Sequence, residues 1–276
     1  IVGDNPRYYL NYFIDNGYIP GFGIYSSGMS FNIKGNNNID IDNWEWLRNE
    51  AYVQSIWRDK FAVGAGISHD YFEAEINGSN KRYNRFLNPY IFLKSDTQND
   101  RNFPTKGFYL NAEGKVVDLL KSDVEKRLIQ VKADIRINIP LSKKFSYHLN
   151  LYGGITIVEN LPKFYQYRLG GIFEQNVVNF KTFNGFYFAQ LNSNNVALIS
   201  NDIQFKFNKN FFLSGNFSFA NLSDDISFED AVKVNYSSFG ASVGYKSPFG
   251  QIKFNFGHSL KNNQKGIFSV ILGHWF

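Results

Sequence analysis

The pentapeptide GASVG, residues 240–244, is the stretch of this sequence that comes nearest to a catalytic motif. It matches Gly-x-Ser-x-Gly, the nucleophile elbow in which a strained turn between a strand and a helix lifts a serine out of a sheet. Ser242 lies instead within a segment of alternating apolar and polar residues, and no helical pattern follows it. We therefore predict that Ser242 is a polar strand residue and not a nucleophile.

The other residue types that support chemistry are dispersed along the chain. Four histidines lie far apart and lack the spacing of a metal site: His69, His148, His258 and His274. The chain has no cysteine, so it holds neither a disulfide nor a thiolate metal site. Its net charge of +5 is scattered, which gives little support for a nucleic-acid partner. The sequence thus predicts no cofactor, no metal site and no enzymatic activity within this chain.

The segment Arg127–Ile139 shows the pattern that dominates the sequence. Apolar residues occupy every second position from Ile129 to Ile139, with polar or charged residues between them. Because successive side chains of a strand point to opposite faces, this pattern predicts a strand with one apolar and one polar face. Further copies lie at residues 201–207, 211–219, 239–246 and 251–260.

The length of these runs favours a membrane strand over a soluble one. Strands of soluble sheets average about five or six residues, whereas a tilted strand that crosses a bilayer takes about 9 to 11. No stretch approaches the roughly 20 consecutive apolar residues of a membrane helix. Heavy use of Phe, Tyr and Gly with little Pro also favours strands. The predicted fold is all-β, a transmembrane antiparallel up-and-down β-barrel.

The connections alternate between short turns and long polar loops. Tight turns are predicted at Asp15–Gly17, Arg58–Lys60, Pro140–Lys144, Asn208–Asn210 and Ser247–Gly250. Bacterial barrels have short periplasmic turns and longer outer loops, and the pattern gives about 13 or 14 strands in this chain. One connection departs from the rule, because Asp96–Thr105 occupies a short-turn position and is longer than its peers.

This count leaves the first strand, near Arg7–Ile14, running inward from the outer face. A complete barrel chain starts in the periplasm, so either Tyr18–Lys34 contains two strands or strands upstream of Ile1 are missing. The lack of an initiator Met favours the second alternative. We therefore expect residues 1–276 to form a single outer-membrane barrel domain, part of a barrel of about 16 strands whose first strands, with any periplasmic or enzymatic domain, lie upstream.

Charged residues recur on the polar faces of the predicted strands. Mixed charges that face a barrel lumen can pair across it and fill it, or can line a narrow polar path, and we favour the first arrangement. The predicted lumen charges are Arg48, Glu50, Glu113, Lys132, Asp134, Arg136, Asp202, Lys206 and Lys253.

The chain ends on an aromatic residue preceded by apolar residues at alternate positions. The pattern comprises Phe268, Val270, Leu272, His274 and Phe276, with His274 at a place where an aromatic residue is commoner. It looks like the C-terminal signal that the outer-membrane assembly machinery recognises. A closing strand with a lipid-facing stripe would explain the same residues.

Three further segments resemble the BamA/TamA-like (bacterial surface antigen) superfamily of outer-membrane barrels. YKSPFGQIKFNFGHSL, from Tyr245, is similar to its penultimate strand, and DTQNDRNFPTKGFYLNAEG, from Asp96, looks like its turn with Pro-Thr-x-Gly. YRLGGIFEQNVVNFKTFNGF, from Tyr167, resembles its sixth outer loop and includes Arg168, Leu169, Gly170 and Gly171. The resemblance implies a bacterial outer-membrane location, with lipid, lipopolysaccharide and the assembly machinery as partners, and it leaves room for protein partners or a homodimer.

The sixth loop departs from the superfamily at its tip. The insertases and transporters carry Val-Arg-Gly-aromatic, whose Arg pairs with acids on the barrel wall. The corresponding residues here are Phe183, Asn184, Gly185 and Phe186. A neutral amide cannot form the bidentate charge-assisted pair, which weakens an insertase role.

The variant tip is more similar to the C-terminal barrels of patatin-like phospholipases of outer membranes. That resemblance implies that a lipase domain and a small periplasmic domain precede the barrel, so any lipase activity would lie upstream of Ile1. The expected function is a membrane anchor, and a translocator, for such an N-terminal domain. The alternatives are an assembly or translocation factor that acts on other proteins and a passive channel for small solutes.

Overall fold

The structure of the chain, a computed structural model, describes most of the sequence in ten separate ranges. These are residues 7–15, 17, 20–34, 41–75, 82–117, 128–157, 161–171, 178–225, 233–260 and 265–273. Strands dominate them. Among these residues, no helix has both the length and the apolar composition needed to cross a bilayer.

Within these ranges, thirteen strands form one large sheet, and three short strands form a second, small sheet. The strands are β1 (Arg7–Ile14), β2 (Gly21–Lys34), β3 (Ile41–Trp57), β4 (Phe61–Glu75), β5 (Arg82–Asp96), β6 (Gly107–Val117), β7 (Leu128–Pro140), β8 (Phe145–Ile157), β9 (Tyr167–Leu169), β10 (Phe180–Lys181), β11 (Leu191–Ser193), β12 (Asn195–Lys206), β13 (Phe211–Ser223), β14 (Tyr236–Ser247), β15 (Gly250–Ser259) and β16 (Ile267–Gly273). In the large sheet β1 to β8 and β12 to β16 follow one another in chain order. The predicted all-β, antiparallel, up-and-down arrangement is confirmed.

The chain divides into two compact units. The first comprises Ile1–Ser95, Asn111–Lys132 and Thr156–Phe164, and the second comprises Asp96–Leu110, Ala133–Ile155 and Tyr165–Phe276. In the first unit, β2 is one continuous strand, paired with β1 from Phe22 to Met29 and with β3 along its whole length. The alternative in which Tyr18–Lys34 contains two strands is therefore wrong.

Burial in the first unit is the reverse of burial in a soluble protein. On β4 the apolar side chains of Val63 and Ile67 are 58% and 49% exposed, whereas Ser68 and Asp70 are 0% exposed. Asn88, opposite Ser68 on β5, is also fully buried. The outward face of β4 is thus apolar, whereas its inward face carries buried polar residues such as Ser68 and Asp70 followed by buried apolar residues such as Phe72 and Ala74.

The second unit shows the same inversion. Ile203 and Val243 are about half exposed, while Gln204 and Ser218 are among the most deeply buried side chains. Aromatic rings lie directly opposite one another on the exposed face, such as Phe205 with Phe145 at 4.8 Å. Contiguous exposed apolar surface of this kind requires a cover, and in a strand that spans a membrane the cover is hydrocarbon.

The short connections are tight. Between β3 and β4, Arg58 and Asp59 both have positive φ, and the amide of Lys60 donates to the carbonyl of Trp57 at 3.2 Å. Positive φ at both central residues is the mark of the primed turns whose twist matches that of flanking antiparallel strands. The connection between β5 and β6, residues 97–106, is longer than the other connections at the short-turn end, as the sequence predicted.

The inverted burial yields a test of which face meets lipid. Replacement Ile203→Lys puts a charge on the exposed face of β12, and we expect it to lower the free energy of unfolding by about 2–4 kcal/mol if the site lies near the bilayer midplane. The matched variant Ser200→Lys, three residues away on the polar face, is expected to change stability by less than about 1 kcal/mol. Urea titrations of vesicle-inserted protein measure both, and equal losses would contradict the assignment of faces.

Candidate functional site

The segment between β8 and β12 folds back on itself, and we call residues 161–171 and 178–194 the inserted loop. Strand β9 at its centre pairs in parallel with β10 and antiparallel with β11. This small sheet places Arg168, which is 4% exposed, opposite both Phe180 and Asn192. The sequence had indicated a long polar loop here, and the local sheet was not foreseen.

The Leu-Gly-Gly motif (residues 169–171) and the Phe-Asn-Gly-Phe motif (residues 183–186) are separated in the sequence, but backbone hydrogen bonds join them directly. The amide of Gly171 donates to the carbonyl of Phe186 at 2.9 Å, and the amide of Phe183 donates to the carbonyl of Gly171 at 3.2 Å. The amide of Gly170 donates to the carbonyl of Lys181 at 3.3 Å. Leu-Gly-Gly and Phe-Asn-Gly-Phe therefore form one folded unit.

An apolar core holds this unit against the strands of the second unit. It consists of Tyr152, Tyr167, Leu169, Phe183, Phe186, Leu191, Val196, Leu198 and Ala220. The rings of Phe183 and Phe186 stack at 5.3 Å, and Phe186 meets Tyr236 edge-on at 5.7 Å. Burial of several large side chains, each worth about 1.5–3 kcal/mol, explains why the loop packs on the sheet instead of extending into solvent.

The tip of the inserted loop lies against the backbone of β14 and β15. Gly185 has φ of +79°, and a Cβ there would lie 2.2 Å from the backbone nitrogen of Ser259. A Cβ at Gly240 would lie 2.4 Å from Nδ2 of Asn184, and one at Gly257 would lie 2.8 Å from the backbone nitrogen of Gly185. These glycines let two backbones approach more closely than any side chain allows.

Asn184 makes a neutral contact at the position where the resembling insertases carry an Arg. Its Nδ2 donates to Oδ1 of Asn216 on β13 at 2.8 Å. Asp202 on β12 accepts a hydrogen bond from Nδ2 of Asn150 at 2.9 Å and also bonds Asn216. The wall of β12 and β13 thus retains an acid, but amides surround it.

Lys181 of the inserted loop makes a charged contact with β7, although the sequence did not indicate it as a candidate site residue. Nζ of Lys181 lies 2.9 Å from Oδ2 of Asp134 on β7, and Nη2 of Arg136 lies at the same distance from that oxygen. The Arg136 guanidinium also lies over the ring of Tyr109, 4.6 Å from its centroid. The sequence feature that could have indicated Lys181 is its position three residues before Asn184.

The predicted charges of the first unit form two groups on its polar face. Arg48 contacts Glu50 and lies 3.5 Å from Asp70, and the hydroxyl of Tyr90 donates to Glu50 at 2.8 Å. Asp70, fully buried, also accepts from Asn88 at 2.7 Å. A buried charge is tolerated when it is paired and hydrogen-bonded, as these are.

Glu113 is the centre of the second group. Nζ of Lys132 lies 3.2 Å from its Oε1, and Nζ of Lys115 lies 3.7 Å from the same atom. In the second unit, Lys206 ends β12 at the short turns, and Lys253 lies half-buried on β15 opposite Gly244. The ion pairs among these charges are thus made within each unit.

The C-terminal residues are described in part. Phe268, Val270 and Leu272 are exposed on one face of β16, and Phe268 packs on Phe256 at 4.8 Å. His274 and Phe276 lie outside the described residues. Their part in an assembly signal stays a prediction.

Within the first unit, Phe164 belongs to an aromatic group that the sequence did not predict. The ring of Phe164 lies 4.8 Å from Trp44 on β3 and 4.8 Å from Phe72 on β4. Phe86 on β5 completes this aromatic group at 6.5 Å. Because these rings come from four separate segments, nothing in their sequence spacing indicates that they meet.

Comparisons with known proteins fit this architecture. The sequence matches the family model of the OMP85 superfamily over residues 1–276. The crystal structure of BamA from Haemophilus ducreyi lacking POTRA domains 1-3 superposes with a TM-score of 0.72 at 12% identity, covering 97% of this chain and 62% of that one.

CdiB from Acinetobacter baumannii has a TM-score of 0.64 at 13% identity and CdiB from Escherichia coli 0.62 at 13%, each covering 96% of this chain. The chain covers 50% and 52% of those two structures, so it spans between 50% and 62% of the length of the three structures that it resembles. No curated protein matches the sequence. At these identities the likeness establishes the fold.

The pair of Lys181 with Asp134 gives a prediction on the inserted loop. Replacement Lys181→Met is expected to lower the free energy of unfolding by about 1–3 kcal/mol, less than for an isolated buried pair because Arg136 still contacts Asp134. Lys209→Met, at an exposed lysine of the turn between β12 and β13, is the control and is expected to be nearly neutral. A double-mutant cycle with Asp134→Asn measures the coupling, and a value of zero would contradict the pair.

The close approach of Gly185 to the backbone of β15 gives a second prediction. Replacement Gly185→Ala combines a positive φ with a backbone clash, so we expect the loop tip to lift and the loop to be cleaved at least several-fold faster by added protease. Gly153→Ala is the matched control, since a Cβ there meets no atom within 4 Å. Equal cleavage rates of the two variants would show that the tip is not seated as described.

Proposed function

The chain belongs to the OMP85 superfamily of outer-membrane β-barrels, and from that premise we propose that it anchors an N-terminal domain in the bacterial outer membrane and helps to carry that domain across. The passenger best supported by the resemblance is a patatin-like domain encoded upstream of Ile1. The lipid-facing side chains hold the anchor in place, and the chain itself carries out no enzymatic step.

One observation favours an anchor over an insertase. The tip of the inserted loop is attached through the neutral contact between Asn184 and Asn216, where the resembling insertases use an Arg. A neutral amide pair contributes about 0.5–1.5 kcal/mol, whereas hydrogen bonds to charged groups contribute about 1.5–3. The tip is held chiefly by close packing of glycines and aromatic rings, which suits an anchor better than an insertase.

The runner-up is a factor that assembles or translocates other proteins. Its mark would be a barrel wall that opens between the first and last strands to admit a client strand. A passive solute channel is a third alternative and requires an open lumen.

Removal of the barrel from the full-length protein tests the anchor. In cells that produce the protein without residues 1–276, we expect the upstream segment to leave the outer-membrane fraction and the levels of other outer-membrane proteins to stay constant. A fall in those other proteins would contradict the anchor and support the assembly factor. Sustained large conductance of the full-length protein in planar bilayers would instead support the channel.

A further inference from the structure

The connection between β5 and β6, residues 97–106, lies at the end of the strands where the other connections are short turns, but it is longer than they are. It folds onto the polar face of the second unit. Phe103, only 3% exposed, stacks on Phe212 of β13 at 4.3 Å with the rings nearly parallel. A Cβ at Gly244 of β14 would lie 2.3 Å from Cε1 of the same ring. Nε2 of Gln204 on β12 donates to the carbonyl of Pro104 at 3.1 Å. Three neighbouring strands therefore hold the turn.

The turn is also ordered from within. Oδ1 of Asp100 accepts from the amides of Asn102 and Phe103 at 2.9 and 3.0 Å, and Oδ1 of Asn99 accepts from those of Thr105 and Lys106 at 2.9 and 3.0 Å. Four backbone donors are satisfied by two side chains. These bonds order the turn independently of its contacts with the sheet.

An ion pair ties the turn to the end of β14. The carboxylate of Asp100 contacts Nζ of Lys246. Burial by itself raises the pKa of Asp100, but the contact with Lys246 and the amides of Phe103 and Asn102 hold that pKa below its usual range. Asp100 is therefore charged at neutral pH and the tie is intact.

Strand β14 thus receives an inserted segment at each end of its polar face. Asn184 of the inserted loop occupies the space over Gly240, and Phe103 of the turn occupies the space over Gly244. Ser242 lies between them on the same face, half-buried. Gly-Ala-Ser-Val-Gly, which resembles a nucleophile elbow, is a strand whose two glycines make room for two separate seals.

We propose that the turn of residues 97–106 is a second seal of the barrel, which closes the polar face of β12 to β14 at the short-turn end as the inserted loop closes it at the long-loop end. The proposal does not rest on the anchor function, since a seal at this position would serve any barrel of the family. Undocking of Phe103 is the step that exposes the polar face from the short-turn side.

Thiol labelling tests the seal directly because the chain has no native cysteine. In the full-length protein with any cysteine outside residues 1–276 replaced by Ser, the variant Ser242→Cys reports, through its reaction with a small charged thiosulfonate, how often the face between the two seals is reached. Adding Phe103→Ala is expected to raise the labelling rate roughly tenfold or more, since loss of a buried aromatic shifts a docking equilibrium by at least that factor. Adding Phe207→Ala, at a 65% exposed ring on the apolar side of the same end, is expected to leave the rate unchanged.

A second variant disturbs the same contact while Phe103 stays in place. Gly244→Ala pushes a methyl group into the ring of Phe103 and is expected to speed labelling as Phe103→Ala does, whereas Gly215→Ala, where a Cβ meets nothing within 4 Å, is its control. Heat-dependent mobility on gels verifies that each variant is folded. Equal labelling rates in folded Phe103→Ala, Gly244→Ala and control proteins would overturn the seal.

Discussion

The exposed apolar face of the strands meets hydrocarbon instead of water, and the rest of the structure depends on this constraint. Side chains such as Ile203 and Val63 are about half exposed, while polar side chains such as Ser68 and Gln204 are buried. No backbone group can be left unpaired at membrane depth, because water is absent there. Long antiparallel strands satisfy both demands at once, since every ladder bond is made between neighbours and every second side chain meets lipid.

The inward face that results has to be covered by other parts of the chain. The second unit covers it with two inserted segments, each of which places a side chain over a glycine of the wall. Gly240 faces Asn184, and Gly244 faces Phe103. Glycine is unfavourable in a strand taken alone, so its use at these positions is explained by what lies over it.

Charges in the interior are paired locally. Asp134 holds both Lys181 of the inserted loop and Arg136 of its own strand, and Glu113 holds two lysines. The loop cation therefore contacts β7, whereas the tip residue Asn184 contacts β13 through a neutral bond. The charged contact and the tip contact are thus made by different residues. In the insertases that the sequence resembles, the Arg at the loop tip makes the charged contact itself.

Much of the architecture was determined by the sequence alone. Alternation of period two specified the strands, the face that each residue occupies and the short turns, because the pleat of a strand depends only on neighbouring residues. The Leu-Gly-Gly and Phe-Asn-Gly-Phe segments were likewise recognisable as parts of one loop. What the tertiary structure decided is which distant residues meet: Lys181 with Asp134, Phe164 with Trp44, and Phe103 with Gly244. Such contacts depend on the stagger of adjacent strands and on the path by which a loop returns to the sheet, and no local sequence pattern encodes either of these.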